Sequence, residues 1–304
     1  MSLSPACHPF QKPFLPVMFW LLLWACLATT GAAQQLPLDW LATNLGAIQV
    51  SDSHNFKFAV FADNRDDQGR YDRLINSVNA DPGLAFSLNL GDMVNHPDET
   101  LYANFFGQVA HLRKPLLTAL GNHELGGDPT YGRQLYTNIF GPTVGPFYYS
   151  FHYGQTYFIV MDDAANQAPD STQRAWLEAE LTKAQTYKYR LVFLHIPLYD
   201  PRSLAHCLPP TAADQLLTLF QTHNVTQIFA GHIHGYFQGA WGGIPYIITG
   251  GAGVALGGTD PANYFFHYLK ISVTPETFNV AVTRYLGPQS MDGVRLLLLS
   301  QLQP

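Results

Sequence analysis

Phe56-Lys57-Phe58-Ala59-Val60-Phe61 runs straight into Ala62-Asp63-Asn64-Arg65, an apolar stretch that halts on charged and turn-forming residues. Its length and its phenylalanine and valine content read as a buried strand rather than a helix. The same beat recurs along the chain. Leu84 to Leu90 halts at Gly91-Asp92, and Leu116 to Leu120 at Gly121-Asn122-His123-Glu124. Arg190 to Leu194 halts at His195, and Gln227 to Ala230 at Gly231-His232-Ile233-His234. Each run ends in an Asp, Asn or His, usually beside a glycine.

The segments between these runs read as helices. Tyr71 to Val78 places Leu74, Ile75 and Val78 at helical spacing, and Pro97-Asp98 starts a helix over Glu99 to Leu112. Asp170 is a candidate N-cap with Gln173 as its capping-box partner, and Leu177, Leu181 and Ala184 follow on one face. Leu216 to Phe220 is helical as well. Phe147 to Met161 reads as paired strands about the Tyr153-Gly154 turn, ending at Asp162-Asp163, and the chain from Ile244 onward is strand-rich. Strands alternating with helices predict an α/β sheet. Ligands of such sheets bind outside the carboxyl ends of the strands, so these polar residues are expected to converge on one edge.

Asp63, Asp92, Asn122, His195, His232 and His234 together offer oxygen and imidazole donors without a thiolate. That mixture suits Mn, Fe or Zn better than a structural zinc knot. It exceeds what one tetrahedral ion needs and fits two ions sharing a bridging carboxylate. Two ions roughly 3.5–4 Å apart can polarise a phosphoryl oxygen and create a hydroxide nucleophile near neutral pH. The glycines at 91, 121 and 231 are expected to let the backbone turn sharply around them.

Gly91-Asp92, Gly121-Asn122-His123-Glu124 and Gly231-His232-Ile233-His234, with His195 between, resemble the signature of the calcineurin-like metallophosphoesterases, relatives of the purple acid phosphatases. The order agrees, and Gln173-Arg174-Ala175-Trp176-Leu177-Glu178 resembles the helix before the lone-histidine strand. The resemblance covers roughly residues 56–286. It implies a four-layer αββα sandwich of two mixed sheets flanked by helices. It also implies two divalent or trivalent ions, one on Asp63, Asp92 and His234, the other on Asp92, Asn122, His195 and His232. Asp92 would bridge them. His123 would stabilise the transition state or protonate the leaving oxygen, a task suited to an imidazole. The implied activity is hydrolysis of a phosphate mono- or diester on a small molecule or a phosphorylated substrate. A non-catalytic phosphate- or metal-binding protein on the same scaffold is the alternative.

One position departs from the pattern. The family usually carries Asp-x-His at the first strand, where this chain has Asp63-Asn64-Arg65. Arginine stays protonated and cannot ligate a metal. Arg65 either grips a phosphate oxygen with its fork of donors or repels the first ion. Purple acid phosphatases also lack this histidine and use a tyrosine three residues after the GD aspartate, where this chain has Asn95. Asp162-Asp163 reads as a turn or helix-start pair. Gly250 to Gly258 lacks the lysine and hydroxyl residue of a P-loop and reads as a structural loop. Asp66–Tyr71, Gly126–Phe140 and Tyr199–Pro210 are the expected rim loops. His54, His96, His111, His152, His206, His223 and His267 have no matching context and read as surface or core residues.

Composition bounds the rest. With 47% apolar and 12% charged residues, the chain suits a well-buried enzyme rather than a disordered segment. A net charge of −6 supplies no basic field for holding nucleic acid. Lys12 precedes the apolar run Phe14 to Leu27, and small residues follow to Ala33. Residues 1–33 therefore read as a secretory signal peptide, too short for a membrane span, which implies export to a periplasm or outside the cell. Cys26 offers a lipoprotein-anchor alternative. Cleavage after Ala33 leaves Cys207 alone, so no internal disulfide is expected. The expected organisation is a lead-in over 34–55, the phosphoesterase domain over 56–286, and an apolar tail over 287–304 that packs on the domain or a partner.

Overall fold

The computed structural model describes residues 36–48, 52–65, 67–141, 145, 147–286 and 297–298. Residues 1–33, read from sequence as a signal peptide and holding Cys7 and Cys26, lie outside them, as does most of the 287–304 tail. Among the described residues, no helix is long and apolar enough to cross a membrane.

The apolar runs are the strands they were expected to be. In the first sheet, β1 (Phe56–Phe61), β2 (Leu84–Asn89) and β3 (Leu116–Thr118) pair in parallel. Antiparallel strands β10 (His267–Val273), β11 (Phe278–Arg284) and β12 (Leu297–Leu298) extend it, giving the order β12-β11-β10-β1-β2-β3. The second sheet runs β4-β5-β6-β7-β9-β8. There β5 (Thr156–Val160), β6 (Tyr189–Phe193), β7 (Gln227–Ala230) and β9 (Ile244–Thr249) are parallel. Antiparallel β4 (Tyr149–Tyr153) and β8 (Tyr236–Trp241) close its two edges.

Strand alternation sorts the side chains of the second sheet into two cores. Phe158, Val160, Leu191, Phe193 and Phe229 join the cluster shared with Phe58 and Phe86 of the first sheet. Their neighbours Ile159, Val192, Leu194 and Ile228 join the cluster with Leu177, Leu181, Leu216 and Phe220 of the helices. Phenylalanines fill the space between the sheets. Phe58 stacks on Phe86 at 5.1 Å and meets Phe158 edge-on at 5.3 Å, and Phe193 stacks on Phe229 at 5.1 Å. The result is two mixed sheets face to face, flanked by helices.

The helices start where short polar side chains can cap them. Asp67 caps α2 (Gln68–Asn79), and Asp98 caps α3 (Glu99–Val109) by accepting from the Thr100 and Leu101 N–H groups. Asp170 caps α6 (Ser171–Ala184) as expected, accepting from the Gln173 N–H. Gln173 does not reach back to complete a capping box. Its side-chain amide instead pairs with the backbone of Asp162, at 2.8 Å in both directions.

Three elements depart from the sequence reading. Residues 126–140, expected as a rim loop, hold the helix α5 (Pro129–Phe140), capped by Asp128 with proline in its first turn. The lead-in holds α1 (Trp40–Ala47), tied to β3 by Trp40 Nε1–H donating to the Leu116 carbonyl at 2.8 Å. The Leu116 N–H in turn donates to Asn44 Oδ1 at 2.9 Å. The edge strand β8 follows the Gly-His-x-His turn directly. Besides these, α4 (Asn122–Leu125) is a single turn after β3, and α7 (Pro210–Thr222) precedes β7.

Candidate metal centre and active site

The turns after β1, β2, β3, β6 and β7 meet at one edge. The turn after β1 is stitched to the one after β2 by the Asp63 N–H donating to Gly91 O at 3.1 Å and the Arg65 N–H to Asp92 O at 3.2 Å. The Gly231 N–H donates to His195 O at 2.9 Å, joining the turns after β6 and β7. The loop after β9 closes the group, with Val254 N–H on Asp63 O at 2.9 Å and Ala252 N–H on Ala62 O at 3.1 Å. Gly250 to Gly258 is thus structural here, as its sequence suggested.

These turns are strained where side chains must aim inward. Asp63, Asp92 and His232 adopt positive φ values of 63°, 57° and 65°. Residues with a Cβ rarely occupy this region, and such outliers cluster at functional sites. Of the glycines expected to make the turns, Gly91 does so with φ +99°. A Cβ there would stand 2.6 Å from Gly121 N and 3.0 Å from His195 Nδ1. Gly121 and Gly231 serve by close approach instead, with no positive φ.

The sequence-predicted residues come together. The ligand atoms of Asp92, His195 and His232 all lie within 4.8 Å of one another, as do those of Asp63, Asp92 and His234, and either group could hold a metal ion. Asn122 joins the first group: its Oδ1 lies 3.0 Å from His195 Nε2 and 2.9 Å from His232 Nδ1. Asp63, Asp92 and His195 are buried.

The protonation pattern of this cluster decides what it can bind. His195 Nδ1 lies 2.8 Å from the Leu90 carbonyl, which can only accept, so the ring's hydrogen sits on Nδ1. Its Nε2 lone pair then faces Asn122 Oδ1, another acceptor. Burial holds His195 below the usual imidazole range and takes His232 down to about 3, with the His195 ring adding to the effect. Burial and the Arg65 charge bring His234 to about 4. Neutral imidazoles are the metal-binding form. Asp63 is also suited: Oδ2 accepts the His232 N–H at 2.9 Å, while Oδ1 is buried without a hydrogen-bond partner. Burial and the nearby Asp92 push the Asp63 carboxyl well above its ordinary range, against the pull of the Arg65 charge. Asp63 Oδ1, which no donor serves, and the His195 Nε2 lone pair, set against Asn122 Oδ1, fit a positive ion.

Two residues sit at the rim of this cluster. His123, on α4, sets Nδ1 2.7 Å from the Asn95 carbonyl and Nε2 3.9 Å from Asp92 Oδ2. Arg65 places Nε 3.5 Å from Asp92 Oδ2 and donates from Nη1 to Asn95 Oδ1 at 3.2 Å. Asn95 thus engages Arg65 rather than standing as a ligand. A cavity of about 240 Å³ opens beside Arg65, walled by Arg65, Met93, Asn95, His96, Asn104 and Phe105.

Sequence reasoning missed three supporting residues. Glu124 accepts from four backbone N–H groups, those of Asp92, Met93, Val94 and Gly121, at 2.7–3.1 Å. Burial and Asp92 push its carboxyl up to about 7, against the pull of those donors. Asp163 starts a turn, as expected, its carbonyl accepting the Asn166 N–H at 2.9 Å, but its carboxylate has a further role, accepting the His195 and Ile196 N–H groups, each at 2.9 Å. His206 brings its ring 6.0 Å from that of His232. Carboxylates that hold backbone leave no spacing pattern to read, although the Glu in Gly-Asn-His-Glu was in view.

Known proteins resemble this chain in sequence and in fold. The chain is 27% identical over 202 residues to the serine/threonine-protein phosphatase CPPED1 of Rattus norvegicus, covering 60% of this chain and 63% of that protein. It is 26% identical over 185 residues to a protein of Rhodopseudomonas palustris described as a "probable cyclic nucleotide phosphodiesterase", covering 56% of this chain and 64% of that one. The chain therefore spans less than two thirds of the length of either relative. In fold it resembles a purple acid phosphatase from yellow lupin, Lupinus luteus, with a TM-score of 0.63 at 16% identity, over 81% of this chain and 53% of that one. Residues 47–236 match the family model for calcineurin-like phosphoesterase, and the chain belongs to that family.

Proposed function

We propose that this chain is a metal-dependent phosphoesterase that hydrolyses a phosphate mono- or diester. The observation that carries the reading is the meeting of Asn122 Oδ1 with His195 Nε2 and His232 Nδ1 at 3.0 and 2.9 Å, three atoms of metal-ligating type around one point. Asp92, Asn122, His195 and His232 would hold one ion, and Asp63, Asp92 and His234 the other. Mn, Fe or Zn suits these donors. Such ions supply Lewis acidity toward a phosphoryl oxygen and make water a usable nucleophile near neutral pH.

The chain's own residues do the rest. The Leu90 carbonyl fixes the His195 tautomer, and Glu124 and Asp163 hold the backbone of the turns that carry Asp92 and His195. His123 anchors Nδ1–H on the Asn95 carbonyl, leaving Nε2 to carry a proton to the leaving oxygen. Arg65 borders the same space and is placed to meet a phosphate oxygen with its donor fork. The adjoining cavity offers room for the leaving group. Serine/threonine phosphoproteins and cyclic nucleotides, the substrates in the names of the two relatives, are the first candidates. The reading includes export on the 1–33 segment, and N-terminal sequencing of the mature protein is expected to begin at Gln34.

The test is hydrolysis of aryl phosphate mono- and diesters by protein stripped with chelator and reconstituted with Mn, Fe or Zn. Turnover is expected only after reconstitution. His123→Ala is expected to lower kcat by about 10²–10⁴-fold while retaining metal. Arg65, a cation among the donors of one ion, favours a second reading, a phosphate- or metal-binding protein without catalysis. Bound metal and phosphate affinity with no turnover on either ester class would select it.

A further inference from the structure

The geometry points to a metal centre of unequal halves. Arg65 places a fixed positive charge at the Asp63–Asp92–His234 group, so the chain holds one divalent ion tightly and a second at least about tenfold more loosely. The tight ion sits on Asp92, Asn122, His195 and His232. This inference rests on the metal-dependent reading above and states how that site fills.

Three observations carry it. First, Arg65 is locked in place. Its N–H donates to the Asp92 carbonyl, its Nη1 to Asn95 Oδ1 at 3.2 Å, and its side chain is only 11% exposed. An arginine side chain keeps its proton in proteins, so the charge is permanent. Second, the Asp92 carboxylate is divided. Oδ1 faces His195 Nε2 at 3.3 Å and accepts the His123 N–H at 3.0 Å, whereas Oδ2 faces Arg65 Nε at 3.5 Å. A carboxylate shared by two ions would have to lend an oxygen to each, and one of these oxygens already attends a guanidinium. Third, the donor sets differ in number. The tight group has Asp92, Asn122, His195 and His232. The loose group has Asp63, Asp92 and His234, with Arg65 standing where a further ligand could have been.

The experiment is a calorimetric titration of the chelator-stripped full chain with Mn²⁺, paired with Mn²⁺ electron paramagnetic resonance at one and two equivalents. Wild type is expected to take up one tight equivalent with the spectrum of an isolated ion, then a second at least about tenfold more weakly. Arg65→Gln removes the charge without adding a ligand and is expected to tighten the second step. Arg65→His adds a ligand as well, and is expected to tighten it further and to give a spin-coupled spectrum at two equivalents. His234→Ala is expected to spare the tight equivalent and Asn122→Ala to abolish it. Two equivalents of similar affinity in wild type, or an unchanged second step in both Arg65 variants with native melting temperatures, would overturn the inference and leave the phosphoesterase reading standing. No Mn²⁺ uptake by any form would overturn both.

Discussion

Glu124 shows how much of this site depends on a residue that touches no substrate. Its two carboxylate oxygens hold the backbone N–H groups of Asp92, Met93, Val94 and Gly121, and so fix the left-handed turn at Asp92. An amide in its place would set an NH₂ group against some of those donors and leave buried N–H groups unmet. Glu124→Gln is therefore expected to lower metal affinity by about 10–100-fold and stability by about 1–3 kcal/mol. Elemental analysis and denaturant unfolding check the two effects. At the same scale, Arg65 and Asn95 were visible in the sequence as departures. Only the coordinates show that they hold each other.

At the scale of elements, strands that end in ligands explain why the sequence was readable. β1, β2 and β7 are apolar runs long enough to be buried, and each stops at a polar turn, so strand and site share one signal. The elements that escaped lack it. The helix α5 carries Leu135, Tyr136, Ile139 and Phe140 at helical spacing, but Gly126, Gly127 and Gly132 mask it. Gly132 is required by packing: a Cβ there would stand 2.5 Å from the Glu124 carbonyl. The short α1 buries only Leu41 and Asn44 and is fixed by tertiary bonds to Leu116, which no local pattern announces. Asp163 was legible as a strand-end residue but not as the clamp on the turn after β6, because its partners are backbone. Asp163→Ala leaves the buried His195 and Ile196 N–H groups unserved and is expected to cost about 1–3 kcal/mol. The loosened His195 should also bind the tight ion less well. Chemical denaturation beside a Mn²⁺ titration checks both.

For the whole molecule, the site lies at one edge of two sheets whose facing sides are filled with phenylalanine, and several buried imidazoles are built in neutral. His267, on β10, is one that lies outside the metal cluster. It is buried, Nδ1 meets the Phe265 carbonyl at 2.9 Å, and Nε2 meets Thr249 Oγ at 3.1 Å. Burial brings it from 6.5 down to about 4. Between those values the unfolded chain holds a proton that the native state refuses, so stability falls as pH drops from about 6.5 toward 4 and is level above. His267→Gln removes that proton's share. Its melting temperature, measured at one fixed metal concentration, is expected to fall less steeply over this range than that of wild type. An identical slope would place the proton uptake elsewhere. The central claim, that the strand ends of this sandwich form a metal centre, is tested most directly by anomalous diffraction at the manganese edge from crystals grown with Mn²⁺. A peak is expected within about 2.0–2.3 Å of the donor atoms of Asp92, Asn122, His195 and His232; no peak there, or one only at some other place on the protein, would rule such a centre out.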